Sequence, residues 1–411
     1  MKSASLTCDV AVVGGGPVGL STAIALAKAG SNTVLIAHHA PYADNRTTAL
    51  LGGSIGFLQD LSVWERCREQ AAPLAAMRLV DDTGRLIRAP EVCFCPGEIG
   101  LEAFGYNIEN HVLVAALEAR TAEISGLARL DDEAVDVVPN GEGVTITLGS
   151  GALVSARLSV GADGRHSLCR GAAGIEIIRR DLHQSALTFN IGHSRPHQNI
   201  STEFHTPQGP RVFVPLPGNR CSVVWVDAPK DAETLLALSD DELSCAVEKQ
   251  SHSIFGRVQV EAGRHLFPLA IEWPKQFAHK RIALVGEAAH VIPPSGAQGL
   301  NLGLRDAADI AEIVREAIES GKEPGTPRVL KRYDFARRAD VFSRTLLIDV
   351  ANRSLISDLR SMHSLRAAGL HLIGSIGPLR RLAMREGLSP SWRTSPARRI
   401  TLTETSVGRS G

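Results

Sequence analysis

The 411-residue sequence is poor in aromatic residues and has no excess of either charge. Aromatic side chains make up 4% of the chain, and 44 lysines and arginines balance 44 aspartates and glutamates. Proteins that bind nucleic acid generally present clustered basic residues, which this balance does not favour. We therefore expect no nucleic acid among the partners.

Cysteine is present without a pairing pattern. The seven cysteines are odd in number and scattered, with no CxxC pair. Structural zinc sites and redox dithiols depend on such pairs. The spacing predicts a reduced, cytoplasmic protein that holds no metal and is not a flavin disulfide reductase.

Long apolar runs are also missing. No stretch reaches the roughly 20 consecutive apolar residues of a membrane span. Val10 to Ala27 comes nearest and ends in Ala25-x-Ala27, which imitates a secretory cleavage site. However, Gly14 to Pro17 interrupts the run, and this favours a strand followed by a helix over a signal peptide.

The interrupted segment has the pattern of a dinucleotide-binding unit. The strand-like DVAVV is followed by GGGPVG, by the helical LSTAIALAKAG and by the strand-like NTVLIA. In such a unit the first glycine permits a sharp turn, the second lets the backbone approach a pyrophosphate and the third lets the helix pack on the strand. The helix N-terminus offers N–H donors to phosphate. The predicted cofactor-binding residues here are Gly14, Gly15, Gly16, Pro17 and Gly19.

One part of that pattern is absent. A dinucleotide-binding unit normally ends its second strand with an acidic residue that binds the ribose, whereas VLIAHHA (34 to 40) has Ala37 there, followed by His38. We expect backbone groups, water or His38 to meet the adenosine ribose. Ala37→Glu is then expected to tighten the binding of the nucleotide.

The remaining chain changes character twice. Residues 144 to 160 alternate around a Gly-Ser-Gly turn and predict a hairpin that leads into GADGRHSLCR (161 to 170). Residues 182 to 227 read as short strands joined by Pro, Gly and Asn, which predicts a mainly antiparallel sheet inserted in an α/β domain. The α/β pattern resumes at RIALVGEAAH (281 to 290).

Three separated stretches, GGGPVG, GADGRHS and VGEAAHVIPPSGAQGLN, occur in one order along the chain. In that order they resemble the flavoprotein aromatic hydroxylases of the para-hydroxybenzoate hydroxylase fold. The resemblance implies an α/β (overall α+β) protein: a Rossmann-like FAD-binding domain with an inserted antiparallel β-sheet substrate domain and C-terminal helices. The implied cofactor is FAD, with NAD(P)H as reductant.

The same resemblance divides the chain into segments. The FAD-binding domain is expected in three parts and the substrate domain in two, followed by a helical region and a flexible tail. The expected parts of the FAD-binding domain are 1–75, 101–175 and 281–345; those of the substrate domain are 76–100 and 176–280; the helical region is 346–390 and the tail is 391–411.

Further segments are similar to the ubiquinone-biosynthesis hydroxylases: 43 to 65, 104 to 120 and 213 to 226. This similarity implies a monooxygenase that hydroxylates the ring of a polyprenylated phenol with O2 through a flavin hydroperoxide. Two alternatives stay open: an FAD-dependent hydroxylase of another small aromatic compound, and a non-enzymatic FAD-binding assembly protein of the ubiquinone pathway. The low count of tyrosine, with none between 171 and 280, argues against a tyrosine proton relay and agrees with a prenylated phenol in an apolar channel.

The resemblance also implies site residues. Arg46 can place a fixed planar charge beside the cofactor, and Asp163 can accept hydrogen bonds near the pyrophosphate, although an Asp at a strand end also caps helices. Glu287 stands where the family usually has aspartate, and we expect it to accept a ribityl hydroxyl. The Pro294 carbonyl is expected to face the substrate hydroxyl, which makes Pro294 the one catalytic residue predicted. The further cofactor-binding residues implied are Gly164, Gly286, Pro294, Gly296, Gly299, Leu300 and Asn301.

Such a substrate resides in a membrane. The basic and apolar stretch GLHLIGSIGPLRRLAMREG (369 to 387) is compatible with peripheral contact at the inner membrane surface, and equally with a helix packed on the protein. Other proteins of ubiquinone biosynthesis are the expected protein partners.

Overall fold

The computed structural model of the chain describes residues 5–39, 45–84, 88, 90–294, 297–356, 377–378, 380–381 and 384. The strands, in chain order, are β1 Ser5–Val13, β2 Thr33–Ile36, β3 Thr47–Leu51, β4 Ala72–Pro73, β5 Ala76–Asp81, β6 Val92–Phe94, β7 Gly105–Glu109, β8 Leu127–Leu130, β9 Ala134–Pro139, β10 Val144–Leu148, β11 Leu153–Gly161, β12 Ile177–His193, β13 Ile200–His205, β14 Pro210–Leu216, β15 Arg220–Asp227, β16 Val258–Val260, β17 His265–Pro274, β18 Ala278–His279 and β19 Ile282–Leu284. The helices are α1 Pro17–Lys28, α2 Gly52–Asp60, α3 Asn110–Thr121, α4 Leu168–Ala173, α5 Pro229–Ala237, α6 Asp240–Gln250, α7 Gln298–Glu319 and α8 Pro327–Ile356.

The first sheet has a parallel centre, in the order β19-β11-β1-β2-β8. Val10, Ala11 and Val12 of β1 are fully buried, as expected of a parallel strand that is covered on both faces. The strand, turn, helix and strand predicted around GGGPVG are confirmed as β1, α1 and β2. The predicted hairpin is confirmed as the antiparallel pair β10 and β11.

The second sheet is mainly antiparallel and runs in the order β16-β12-β15-β14-β13-β5-β6, with β17 also paired to β12. Its one parallel pair among the described strands joins β13 to β5. One face packs on α6 through an apolar cluster that includes Phe213, Leu243 and Val247. The predicted α/β fold with an inserted antiparallel sheet is confirmed, whereas the domain boundaries remain predictions.

Strands β3, β7 and β4 form a third, three-stranded sheet that the sequence did not predict. None of the helices formed by the described residues combines the length and the apolar character needed to span a bilayer. Most of the proposed membrane-contact stretch, 369 to 387, and the tail 391–411 lie outside the described residues.

Helices α7 and α8 are joined by buried charges. The Arg337 side chain is fully buried, with Nε 2.5 Å from Asp306 Oδ1 and Nη1 2.8 Å from Asp309 Oδ2 and 2.9 Å from Asp340 Oδ2. Burial is the largest single influence on the pKa of Asp306 and would raise it, but the Arg337 guanidinium, His290 and the Gly286 N–H together hold that pKa below its ordinary value. Asp306 is therefore a buried carboxylate anion that depends on its cationic partner.

We expect Arg337→Met to lower the free energy of unfolding by about 3–5 kcal/mol, because it leaves buried carboxylates without their cation. Arg315→Met is the matched control, since Arg315 pairs with Glu312 and Glu319 on the exposed side of α7 and such pairs contribute little. Urea unfolding monitored by circular dichroism measures both. Equal losses in the two variants would contradict the importance of the buried cluster.

Candidate functional site

A cavity of about 470 Å³ lies between the glycine-rich turn after β1 and the second sheet. Three parts of the chain line it: the glycine-rich turn with the start of α1, the segment that leads from Gly286 to the start of α7 (the late segment), and one face of the second sheet. The lining residues used below are Gly16, Pro17, Gly19, Arg46, Gly164, Arg165, Thr188, Glu203, Val212, Val224, Phe267, Gly286, Glu287, Pro294, Gly299 and Leu300.

The glycine-rich turn forms a cradle without side chains. Gly14 has φ +114°, and a Cβ on it would lie 2.3 Å from the Ala162 carbonyl oxygen; a Cβ on Gly19 would lie 2.0 Å from the Gly14 carbonyl oxygen. These two glycines let β1, β11 and α1 approach closely. By contrast, a Cβ on Gly16 would meet nothing within 4 Å, and Gly16 lines the cavity.

Helix α1 begins at this cradle with Gly16 as its N-cap residue, no side-chain cap hydrogen bond and Pro17 at its start. Its first turn is therefore open toward the cavity, as expected of a site for phosphate. A pyrophosphate fits these residues, because backbone N–H groups and a helix N-terminus are available where a side chain would otherwise stand.

The motif GADGRHS (161 to 167) lines the cavity with the backbone of Gly164, while the side chain of Asp163 faces helix α4. Asp163 accepts a hydrogen bond from the Ser167 hydroxyl (2.6 Å) and from the Cys169 N–H (3.0 Å), at the start of α4. This is the capping role that the sequence left open beside pyrophosphate binding. Gly164, with φ +77°, lines the cavity.

Two charged side chains from different segments meet at the cavity wall. Arg165 Nε donates to Glu287 Oε2 over 3.2 Å, and both residues line the cavity. Gly286 before it has φ +61° and donates its N–H to Asp306 Oδ2 over 2.8 Å. Across the cavity, the guanidinium of Arg46 lies over the Phe267 ring, 5.2 Å from its centroid.

Along the late segment, Pro294, Gly299 and Leu300 line the cavity, whereas Gly296 lies outside the described residues. The side chain of Asn301 is buried: its Oδ1 accepts from the Leu51 N–H (2.9 Å) and the Ser54 hydroxyl (2.6 Å), and its Nδ2 donates to the Ala49 carbonyl (2.8 Å). Asn301 therefore ties the start of α7 to β3 and α2. Because these bonds occupy the side chain of Asn301, its predicted contact with the cofactor would have to come from its backbone.

A carboxylate lies at the strand end where the ribose acid is missing. The Ala37 N–H donates to the Leu130 carbonyl (3.1 Å), so the end of β8 lies beside the end of β2. The next residue, Asp131, accepts from the His39 N–H (2.7 Å), and its Oδ1 is 3.4 Å from His38 Nδ1. The hydrogen bond from the His39 N–H is the main reason that the pKa of Asp131 is lowered. A carboxylate that follows β8 therefore stands at the end of β2, where the sequence has no acid, and the sequence analysis did not select it.

Among the described residues, no group of three or more His, Cys, Asp or Glu side chains is arranged to hold a metal ion. The cavity has the glycine-rich turn and the open start of α1 on one side and the apolar side chains of Val212, Val224 and Phe267 on the other, which suits a ligand with a nucleotide part and an apolar part. Flavin-containing enzymes combine these two features in one pocket.

Comparison with known proteins identifies the family of this chain. A model of the FAD binding domain family matches residues 7–346, which include every cavity-lining residue named above. The ubiquinone hydroxylase UbiL of Rhodospirillum rubrum is 32% identical over 393 residues, covering 94% of this chain and 90% of that protein. The 3-demethoxyubiquinol 3-hydroxylase of Escherichia coli is 30% identical over 389 residues, covering 92% of this chain and 98% of that protein.

The chain belongs to the FAD binding domain family, in the group that contains the ubiquinone hydroxylases. The crystal structure of p-nitrophenol 4-monooxygenase PnpA from Pseudomonas putida has the same fold, with a TM-score of 0.77 at 20% identity over 93% of this chain and 98% of that one. The predicted resemblance to flavoprotein hydroxylases and the predicted cofactor FAD are thereby confirmed.

We expect Gly16→Val to weaken FAD binding by at least tenfold, because its side chain would extend into the cavity where the turn approaches the cofactor. The control is Gly171→Val in α4, which also has open space around its Cβ position. Fluorescence titration of the apoprotein with FAD measures the dissociation constants. Unchanged FAD binding by the Gly16 variant would contradict the placement of the pyrophosphate.

Proposed function

We propose that this chain is an FAD-dependent monooxygenase that hydroxylates the aromatic ring of a polyprenylated phenol in ubiquinone biosynthesis. The observation that carries the proposal is a cavity that has the glycine cradle of an FAD domain on one side and a largely apolar sheet face on the other. The names of the relatives, a ubiquinone hydroxylase and a demethoxyubiquinol hydroxylase, support the same reaction and substrate class.

The proposed contacts with FAD follow from the positions of the lining residues. Gly14 to Gly19 would hold the pyrophosphate, with Gly164 beside it, and Arg46 would place its positive charge next to the cofactor. Gly286 and Glu287 would face the ribityl chain. The bond from Arg165 uses Oε2 of Glu287, so Oε1 would accept the ribityl hydroxyl. Bound FAD supplies the redox chemistry that activates O2.

The segment before α7 is the proposed flavin-ring contact. Ala297, the N-cap residue of α7, has φ +55°, and α7 has no side-chain cap hydrogen bond. Its first N–H groups are therefore available to stabilise negative charge on the reduced cofactor. Pro294 stands just before this turn and lines the cavity, in agreement with the proposed role of its carbonyl toward the substrate hydroxyl.

The substrate ring is proposed to lie on the sheet face. Val212, Val224 and Phe267 give that wall an apolar surface, which excludes water from the reacting ring and suits a prenylated phenol. We also propose NAD(P)H as reductant and peripheral contact with the membrane in which such a substrate resides. Both proposals rest on the family and the substrate class.

Asp131 is the proposed ribose ligand. It stands at the carboxyl edge of the parallel sheet, beside the strand that usually carries this acid, and a carboxylate accepts hydrogen bonds from both ribose hydroxyls. His38 retains its predicted contact with the ribose as a neighbour of Asp131.

We expect the purified protein to retain FAD and, once its flavin is reduced, to transfer one oxygen atom from 18O2 to a short-chain prenylated phenol. Mass spectrometry of the phenol product measures the incorporation. A flavin that is reoxidised by O2 with no label in any phenol would contradict the proposed function and favour a non-enzymatic FAD-binding protein.

We expect Asp131→Asn to weaken FAD binding about tenfold, because it removes a charged acceptor from the ribose. Asp132→Asn is the control, since that neighbouring carboxylate bonds Ser150 and the Glu133 N–H instead. Ala37→Glu, introduced into Asp131→Asn, is expected to restore affinity by returning an acid to the end of β2. If Asp131→Asn and Asp132→Asn bind FAD equally well, Asp131 is not the ribose ligand.

A further inference from the structure

We propose that Glu203 is the base that removes the hydroxyl proton of the phenol, and that His205 relays this proton to solvent. The inference rests on the proposed function and identifies a catalytic residue on the sheet wall of the cavity. Glu203 lines the same cavity as Pro294 and the start of α7, and it stands on the second sheet.

The strand register places the Glu203 side chain on the cavity face. Glu203 of β13 is directly opposite Val212 of β14, Val212 is opposite Val224 of β15, and Val224 is opposite Thr188 of β12. Directly opposite residues in antiparallel strands present their side chains to the same face. All four line the cavity, so one row of side chains crosses its wall, and Glu203 ends that row.

His205 follows Glu203 by two residues and therefore shares its face of the sheet. Its Nε2 lies 2.9 Å from Glu203 Oε1, and the two side chains are 14% and 22% exposed, respectively. The pair is thus shielded but has an outlet to water. Asp81 of β5 is the register partner of His205, so Asp81 and His205 are the titratable groups adjacent to Glu203 along these strands.

Other ionisable groups at the cavity are poorly suited to this task. The guanidinium groups of Arg46 and Arg165 carry N–H donors and no atom that could accept a proton, and Glu287 is paired with Arg165 at the cofactor side. Of the described tyrosines, Tyr333 donates its hydroxyl to the Leu284 carbonyl (2.8 Å), and Tyr106 packs on Trp64. Among the described residues that line the cavity from the sheet, Glu203 is the ionisable one.

The chemistry needs a proton acceptor at this wall. The O–H bond of the phenol breaks, its electron pair stays on oxygen, and the proton passes to a Glu203 carboxylate oxygen. The resulting phenolate pushes electron density into the ring, which makes the ring a better nucleophile toward activated oxygen. The protonated Glu203 can then donate to His205 Nε2 in the tautomer where that nitrogen carries no hydrogen, and the imidazole exchanges its proton with water.

The test compares two phenols in the FAD-loaded protein with chemically reduced flavin. One is 2-prenylphenol and the other is a polyfluorinated 2-prenylphenol with an open ring position, and the assay pH is set between their two pKa values, so that the first is neutral and the second is ionised. For the neutral phenol, we expect Glu203→Gln to slow single-turnover hydroxylation about 100-fold, within the range of general-base catalysis. For the ionised phenol, which needs no base, we expect the same variant to lose less than about tenfold.

Glu233→Gln on the exposed surface of α5 is the matched control and is expected to equal the parent protein with both phenols. FAD affinity and thermal unfolding of Glu203→Gln are measured alongside, and a merely structural role would change these or slow both phenols equally. Equal slowing of both phenols, or no slowing of either, overturns the assignment of Glu203. If the parent protein hydroxylates neither phenol, the proposed function itself fails, which is a separate result.

Discussion

The carboxylate of Asp306 links the cofactor side of the cavity to helix α8. One of its oxygens accepts from the Gly286 N–H (2.8 Å) and lies 2.7 Å from His290 Nε2, while the other faces Arg337. Gly286 begins the segment that leads to Pro294, so the position of that segment depends on a buried charge held by α8. A carboxylate with no exposed surface is stable there only because its partners are fixed.

The two walls of the cavity are built by different means. On the cofactor side, close backbone approach does the work: Gly14 and Gly19 leave no room for side chains, and the start of α1 is open. On the sheet side, regular strand pairing produces rows of side chains, of which the row from Glu203 to Thr188 is one. Rigid elements on both sides suit a reaction in which the cofactor carries the chemistry and the protein orients the ring and excludes water.

Local pattern was sufficient to predict the glycine cradle and the hairpin after Val144, because the Gly14 to Gly19 turn and the pair β10 and β11 depend on residues close in sequence. The three-stranded sheet of β3, β7 and β4 was not predicted, since it pairs strands that are far apart in the chain. The positions of Asp131 and Asn301 were not predictable in this way. Asp131 stands at the end of β2 only because β8 is the sheet neighbour of β2. The side chain of Asn301 bonds a segment about 250 residues earlier in the chain, as its bond from the Leu51 N–H shows. An aspartate beside a glycine had two local explanations, and the bonds from Ser167 and Cys169 place the Asp163 carboxylate at the start of α4. Its contact with the pyrophosphate stays a prediction.

The central claim is that one cavity holds both the flavin and the phenol, with the ring between the sheet wall and the segment at Pro294. A crystal structure of the protein with FAD and a prenylated phenol tests it most directly. We predict the pyrophosphate at Gly16, the flavin ring at the start of α7, and the phenol hydroxyl within hydrogen-bond distance of Glu203. A phenol bound outside this cavity, or a flavin ring remote from Pro294, would contradict the account.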